Sequence, residues 1–175
     1  GSGYTVGGFN PYDLAVNQSS GTVYFIHYNS DLVSYEILEV DPDLPFSERI
    51  VSHQTVSIIG DAWAIDYKNG KVLIGSFYDD PDSGAVQQYS SNLDYEDQFT
   101  GEQGGSDPFL GVKRFVGVLR KKFYLIDEYS SYDSSMDNDG NNRLIEFDDV
   151  TGAGWSTLSA IDAGQSEPFF FYSKY

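Results

Sequence analysis

The chain has 175 residues, of which 27 are acidic, 10 are basic and none is cysteine, so its formal net charge is −17. A field of that sign repels phosphate backbones, which makes nucleic acid and anionic membranes poor partners and favours cations and basic proteins, although acidity also serves solubility alone. The lack of cysteine excludes disulfides, cysteine zinc ligands and cysteine nucleophiles, and no apolar run approaches the ~20 residues of a membrane span.

Aromatic residues make up 16% of the chain, with 14 Tyr and 12 Phe, and there are 18 Gly. This composition favours strands and turns over helices. No apolar pattern of helical period continues for more than about two turns. We therefore expect an all-β protein.

The first group of predicted strands follows a predicted turn at Asn10-Pro11. The segments between these strands are short and rich in turn-forming residues, such as the polar hairpin turn Gln18–Gly21. The predicted strands are Leu14–Asn17, Thr22–Tyr28, Leu32–Val40 and Arg49–Ile58.

A second group of strands repeats this pattern. Asn69-Gly70 is the preferred centre of a two-residue hairpin turn, because both positions need a positive φ. The predicted strands are Trp63–Tyr67, Lys71–Tyr78, Ala85–Tyr89 and an edge strand near Tyr95–Thr100.

A third group follows, and it contains a long acidic loop, Ser130–Asn142. After it, Pro168–Tyr175 resembles the first strand of a fourth group. The predicted strands of the third group are Phe109–Leu119, Lys122–Tyr129, Arg143–Val150 and Trp155–Ile161.

Turn residues open these groups at intervals of about 49, 48 and 60 residues. A four-stranded unit repeated at this period is typical of a β-propeller blade, since one twisted sheet cannot bury both faces alone and stacked sheets can. We therefore predict a propeller-like array of antiparallel blades, with three full units and part of a fourth; the alternatives are a curved antiparallel sheet and a β-sandwich. The predicted units are residues 11–59, 60–107, 108–167 and 168–175.

Two segments of the third unit, Tyr124–Asp127 (YLID) and Asn141–Phe147 (NNRLIEF), resemble blades of the NHL-repeat family. In the other units only the spacing is similar. The resemblance implies a propeller fold, which in that family serves mostly as a binding scaffold. Some of its relatives are metal-dependent hydrolases with ligands from several blades, but no such ligand set can be placed here.

A pattern that resembles a twelve-residue Ca²⁺ loop covers Ser135–Glu146 (SMDNDGNNRLIE), with Gly140 at the position of the sharp turn. Oxygen ligands at alternate positions suit this ion, although the first position holds Ser rather than Asp, and the same run also suits an ordinary hairpin loop. The predicted metal ligands are Asp137, Asp139, the carbonyl of Asn141, and Glu146.

The predicted topology also places a binding surface at one end of the units. Loops that join second to third strands lie at the same end as the segments that lead into each unit, so acidic and aromatic residues are expected together. The competing explanation is that Asp, Asn and Gly simply form good turns. The predicted ligand-binding residues are Tyr12, Trp63, Phe109, Asp79, Asp80 and Asp82.

These patterns favour a non-enzymatic binding module for a protein or carbohydrate. The two histidines, His27 and His53, have no metal-ligand spacing, and no serine-nucleophile or phosphate-binding motif is present. The alternatives are a metal-dependent hydrolase or lyase of propeller type and a structural segment of a larger surface protein. We expect a bacterial, extracytoplasmic location (periplasmic, secreted or cell surface) and self-association through the apolar C-terminal strand around Phe169–Tyr172.

Overall fold

The structure, a computed structural model, describes residues 10–57, 60–77, 84–100, 111–115, 122–127, 143–148, 151, 153–154 and 156–160. These residues form twelve β-strands and one 3-10 turn, Phe46–Glu48, and they contain no α-helix. No helix among them is long and apolar enough to cross a membrane. The strands are β1 (Pro11–Val16), β2 (Val23–Asn29), β3 (Ser34–Val40), β4 (Ile50–Thr55), β5 (Asp61–Lys68), β6 (Lys71–Phe77), β7 (Val86–Ser90), β8 (Tyr95–Phe99), β9 (Val112–Phe115), β10 (Phe123–Asp127), β11 (Arg143–Phe147) and β12 (Ser156–Ala160).

The strands form three sheets of four, and each sheet takes its strands in chain order: β1 to β4, β5 to β8 and β9 to β12. We call them the first, second and third sheets. Every described strand pair is antiparallel, as in the pairing of β5 with β6. The expected all-β class with antiparallel sheets is therefore confirmed.

Local turn chemistry explains the hairpin between β5 and β6. Asn69 and Gly70 have φ values of 54° and 77°, which are the two positive values that the Asn-Gly pair predicts. The predicted turn at Asn10-Pro11 is wrong at its second residue, because Pro11 is the first residue of β1. Proline is tolerated there, since β1 is an edge strand and its first residue need not donate to the ladder.

The first core lies between the first and second sheets. Val72 and Ile74 of β6 face this side, because alternate residues of a strand point to the same face. Tyr24 and Tyr67 stack here with ring centroids 5.1 Å apart. The buried residues are Ala15, Tyr24, Ile26, Ile37, Val56, Ala62, Ile65, Val72, Ile74, Tyr89 and Leu93.

The second core lies between the second and third sheets, and Leu73 of β6 faces it. A Cβ atom at Gly75 would lie 2.3 Å from Cγ1 of Val112, so glycine permits the close approach of these two sheets. Strand β6 is consequently buried on both faces. The buried residues of this core are Leu73, Val86, Phe99, Val112, Phe123, Leu125, Ile145 and Phe147.

The first strands of the three sheets are neighbours, since β5 contacts both β1 and β9. Asp13 links the first pair of sheets by accepting a hydrogen bond from the Ile65 amide (3.2 Å). Lys68 links the second pair: its ammonium group donates to the carbonyl of Lys122 and lies 6.0 Å from the ring centroid of Phe123. Adjacent sheets are thereby linked, β1 to β5 through Asp13 and the end of β5 to the beginning of β10 through Lys68.

Candidate functional site

Each of the three first strands contains a β-bulge near its beginning. In β1 the register shifts between Pro11 and Asp13, so Tyr12 is the extra residue. In β5 it shifts between Ala62 and Ala64, which makes Trp63 the extra residue. In β9 the residue between the paired Val112 and Arg114 is Lys113. Bulges are frequent beside functional sites because they redirect a side chain out of the regular alternation.

Four aromatic side chains meet at this end of the first two sheets, and we call them the aromatic cluster: Tyr12, Tyr28, Tyr35 and Trp63. The ring centroid of Tyr12 lies 5.5 Å from that of Trp63 and 5.5 Å from that of Tyr35. Tyr28 and Tyr35 are 5.2 Å apart. The ring planes cross at 62° to 76°, the edge-to-face geometry that the aromatic quadrupole favours.

The sheet topology explains why these residues meet. Tyr12 and Trp63 lie near the beginnings of two adjacent first strands. Tyr28 and Tyr35 are cross-strand partners next to the turn that joins β2 to β3. Because β2 ends where antiparallel β1 begins, all four side chains belong to the same end of the sheets.

A carboxylate is fixed beside the cluster. The Tyr35 hydroxyl donates a hydrogen bond to Oδ1 of Asp61 (2.8 Å), the first residue of β5. Burial raises the pKa of Tyr35, and its hydrogen bonds with Asp61 and Tyr12 raise it further. Tyr35 therefore stays protonated at neutral pH and keeps the Asp61 carboxylate next to the rings.

The two bulge residues form the accessible part of the aromatic cluster. Tyr12 is 37% exposed and Trp63 is 39% exposed, whereas Tyr28 and Tyr35 are partly buried behind them. Large aromatic side chains that stay this accessible while packing against one another are typical of binding surfaces. The end of the sheets thus presents two accessible rings over a supporting inner pair.

The turn between β2 and β3, residues 30–33, lies at the same end, and we call it the β2–β3 tip. Leu32 and Val33 are 59% and 74% exposed. Oδ1 of Asn29 accepts hydrogen bonds from the backbone amides of Asp31 (3.0 Å) and Leu32 (3.3 Å). This side chain therefore holds the tip from inside the sheet.

Asn29 belongs to a buried polar network in the first sheet. Its Nδ2 donates to Oε2 of Glu36 (2.7 Å), and the same carboxylate lies 3.3 Å from Nε2 of His27 and 3.4 Å from Nδ1 of His53. His27 and Glu36 are completely buried. Burial lowers the pKa of His27, and the neighbouring Glu36 opposes this change.

The sequence prediction treated the two histidines separately and missed this network. The strand register brings the residues together: His27 is opposite Glu36, and His53 is opposite Leu38, one alternate position further along β3. A usable signal existed in the alternation itself, because polar residues occupy the alternate positions 27 and 29 of β2 and 34 and 36 of β3.

Two of the predicted ligand-binding residues, Tyr12 and Trp63, are brought into direct contact. The other four, Phe109, Asp79, Asp80 and Asp82, lie outside the described residues, as do the predicted metal ligands Asp137, Asp139 and Asn141.

The remaining predicted metal ligand, Glu146, lies in β11, and its Oε1 accepts a hydrogen bond from Nζ of Lys122 (3.1 Å). Among the residues that the structure describes, no group of three or more His, Asp or Glu side chains is arranged to hold a metal ion.

No protein-family model matches the chain, and no curated protein has significant sequence similarity to it. The geometry of the aromatic cluster and its surroundings therefore provides the basis for a functional proposal.

Proposed function

We propose that this chain is a non-enzymatic binding module of propeller type that binds a protein partner at the aromatic cluster. Three consecutive four-stranded antiparallel sheets support the propeller part of the proposal. Further support comes from the contacts of β5 with β1 and β9 and from the recurrence of a bulge in each first strand. The resemblance of Tyr124–Asp127 and Asn141–Phe147 to NHL repeats points the same way.

The observation that carries the binding proposal is the contact between Tyr12 and Trp63. Both are bulge residues, both are more than a third exposed, and their rings touch at the end where two sheets adjoin. Tyrosine and tryptophan are enriched among the few residues that dominate protein-binding energy, because they bury a large area and lose little conformational entropy.

A protein partner fits this surface better than a carbohydrate does. Sugars stack on open ring faces, whereas here the edge of one ring is directed at the face of the next. Exposed aliphatic side chains, Leu32 and Val33, lie in the turn at the same end of the sheets and suit apolar protein contacts. The Asp61 carboxylate adds a fixed acceptor for a donor of the partner.

The test selects ligands from a phage-displayed random peptide library and, in parallel, from a glycan array, using the whole chain as bait. We expect peptides to be selected, and Tyr12→Ala and Trp63→Ala to weaken their binding at least tenfold, because removal of a central aromatic contact costs about 1.4 kcal/mol or more. The matched control is Phe46→Ala, which removes an aromatic residue that is 89% exposed at the opposite end of the first sheet.

Circular dichroism establishes that the variants are folded before binding is compared. Peptides that bind all three variants equally well would place the site elsewhere. Selection of glycans in a manner that depends on Trp63 would replace the protein partner with a carbohydrate.

Ca²⁺ binding by Ser135–Glu146 is a second, independent proposal. Glu146 would have to exchange its contact with Lys122 for the ion or use its other oxygen. An ion that binds only the folded state raises the melting temperature by mass action, so millimolar Ca²⁺ should raise it and Asp139→Ala should abolish the rise. An unchanged melting temperature contradicts the site, and a clear rise would strengthen the metal-dependent hydrolase alternative.

A further inference from the structure

Val33 in the β2–β3 tip has an unfavourable backbone conformation. Its φ is 52°, in the left-handed region, where a β-branched side chain is a genuine outlier. Strain of this kind persists only where the surroundings impose it, and it is concentrated at functional sites. The surroundings of Val33 must therefore keep this apolar, β-branched residue in a strained conformation.

Two other non-glycine residues in the described part of the chain have positive φ, and each has an explanation in the fold. Asn69, with φ 54°, is of the residue type that tolerates this region, and it forms the Asn-Gly turn. Leu93, with φ 66°, is only 2% exposed, so core packing offsets its strain. Val33 is neither a tolerant residue type nor buried, since 74% of it is exposed.

Hydrogen bonds to the Asn29 side chain hold the β2–β3 tip in this conformation. Asn29 is buried, accepts hydrogen bonds from two amides of the tip and donates to the buried Glu36 carboxylate (2.7 Å). Buried polar networks of this kind rigidify the groups attached to them. Leu32 and Val33 are consequently presented to solvent in one conformation, which reduces the entropy lost when a partner binds.

We infer that the β2–β3 tip is part of the binding surface, and that the partner is a basic protein segment with a large apolar side chain that packs on Leu32 and Val33. This inference rests on the proposed function and extends it. Tyr28 and Tyr35 pair across the strands next to the Asn29–Ser34 pair that borders the tip, and Tyr35 contacts Tyr12. The tip and the aromatic cluster therefore form one continuous surface.

Charge determines the chemistry of the partner. The chain carries a net charge of −17, and this surface holds the exposed carboxylates of Asp31 and Asp61. At this surface a second copy would bring the same carboxylates and would be repelled, whereas a basic segment is attracted and steered. Exposed Leu32 and Val33 require an apolar group on that segment.

The experiment uses Val33→Asn, with the reverse exchange, Asn69→Val, as its control. Val33→Asn should raise the melting temperature by about 2–4 °C, because asparagine tolerates a positive φ, and Asn69→Val should lower it by a similar amount. The binding probes are the peptides that the wild-type chain selects from the random library. Val33→Asn and Leu32→Ser should weaken their binding at least tenfold, and Phe46→Ala should leave it unchanged.

The selected peptides should contain an excess of Lys or Arg, and their binding should weaken as salt is added. Selected peptides without that excess would contradict the inference that the partner is basic.

If Tyr12→Ala and Trp63→Ala weaken binding but Val33→Asn and Leu32→Ser do not, the inference about the tip fails and the proposed function stands. If none of the four variants weakens binding, both fail. A Val33→Asn variant that is no more heat-stable than wild type contradicts the assignment of strain to Val33.

Discussion

The turns that contain Val33 and Leu93 use the same unfavourable backbone region for opposite purposes. Both place an aliphatic residue at a positive φ, 52° for Val33 and 66° for Leu93. Leu93 points into the first core and is buried with Tyr24 and Tyr89, whereas Val33 is exposed at the end of the molecule that carries the aromatic cluster. Strain that supports a core is explained by folding, and strain that presents an apolar side chain to solvent requires another explanation.

The two turns also differ in the groups that accept their hydrogen bonds. The turn of Leu93 is closed by its own chain, since Ser90 accepts from the amides of Leu93 (3.0 Å) and Asp94 (3.1 Å). The Tyr24 hydroxyl donates to the Ser91 carbonyl and ties this turn to the first sheet. The β2–β3 tip instead depends on Asn29 and, through it, on a titratable network.

Among the substitutions that test this comparison, Leu93→Ala is expected to lower the free energy of unfolding the most. It removes a buried side chain and leaves the backbone strain in place, so the free energy of unfolding should fall by about 2–5 kcal/mol. Val33→Ala removes an exposed side chain at the matching backbone position and should change that free energy by less than about 1 kcal/mol. Urea denaturation of both variants and of wild type measures the difference.

Equal losses of stability in the two variants would break the comparison, because they would show that packing also supports Val33. A small loss in Leu93→Ala would mean that its turn is held by the Ser90 hydrogen bonds rather than by the core. Comparison of the slopes of the urea curves checks that both variants unfold in the same manner as wild type.

The sequence was sufficient to predict the features that local chemistry determines. Alternating apolar residues predicted nearly all of the strands, and Asn69-Gly70 predicted its turn. The beginning of β1 was misplaced, because Asn10-Pro11 suggests a turn and only the edge position of β1 makes proline acceptable in a strand.

The features that depend on register could not be predicted in detail, although the alternating polar residues of β2 and β3 indicate a buried polar face. The network of His27, Glu36 and His53 requires knowing which residues lie opposite one another across three strands. The bulges at Tyr12 and Trp63 leave no mark in composition, since a bulge is a property of two paired strands. Topology alone nevertheless predicted that these two aromatic residues belong to the same end of the sheets.

A smaller effect is expected from a change of pH. Acidification should reduce hydrogen-exchange protection at the β2–β3 tip more than at the turn that contains Leu93. Burial holds the pKa of His27 below its ordinary value of 6.5, so the native network favours the neutral imidazole. Once the pH falls below that ordinary value, any opened state binds more protons than the native state does. Acidification therefore favours opening of the network around Glu36, and with it the loss of the Asn29 side chain that holds the tip.

Amide hydrogen exchange at about pH 7.5 and about pH 5.5, expressed as protection relative to the intrinsic rates, measures this opening residue by residue. Protection at the Asp31 and Leu32 amides should fall on acidification, while protection at the Leu93 and Asp94 amides should change less, because His27, His53 and Glu36 are not among their hydrogen-bond partners. His27→Gln should remove the difference between the turns. A parallel loss of protection at both turns would mean that acidification acts on the fold as a whole, and that the tip of Val33 is not controlled by the network beneath it.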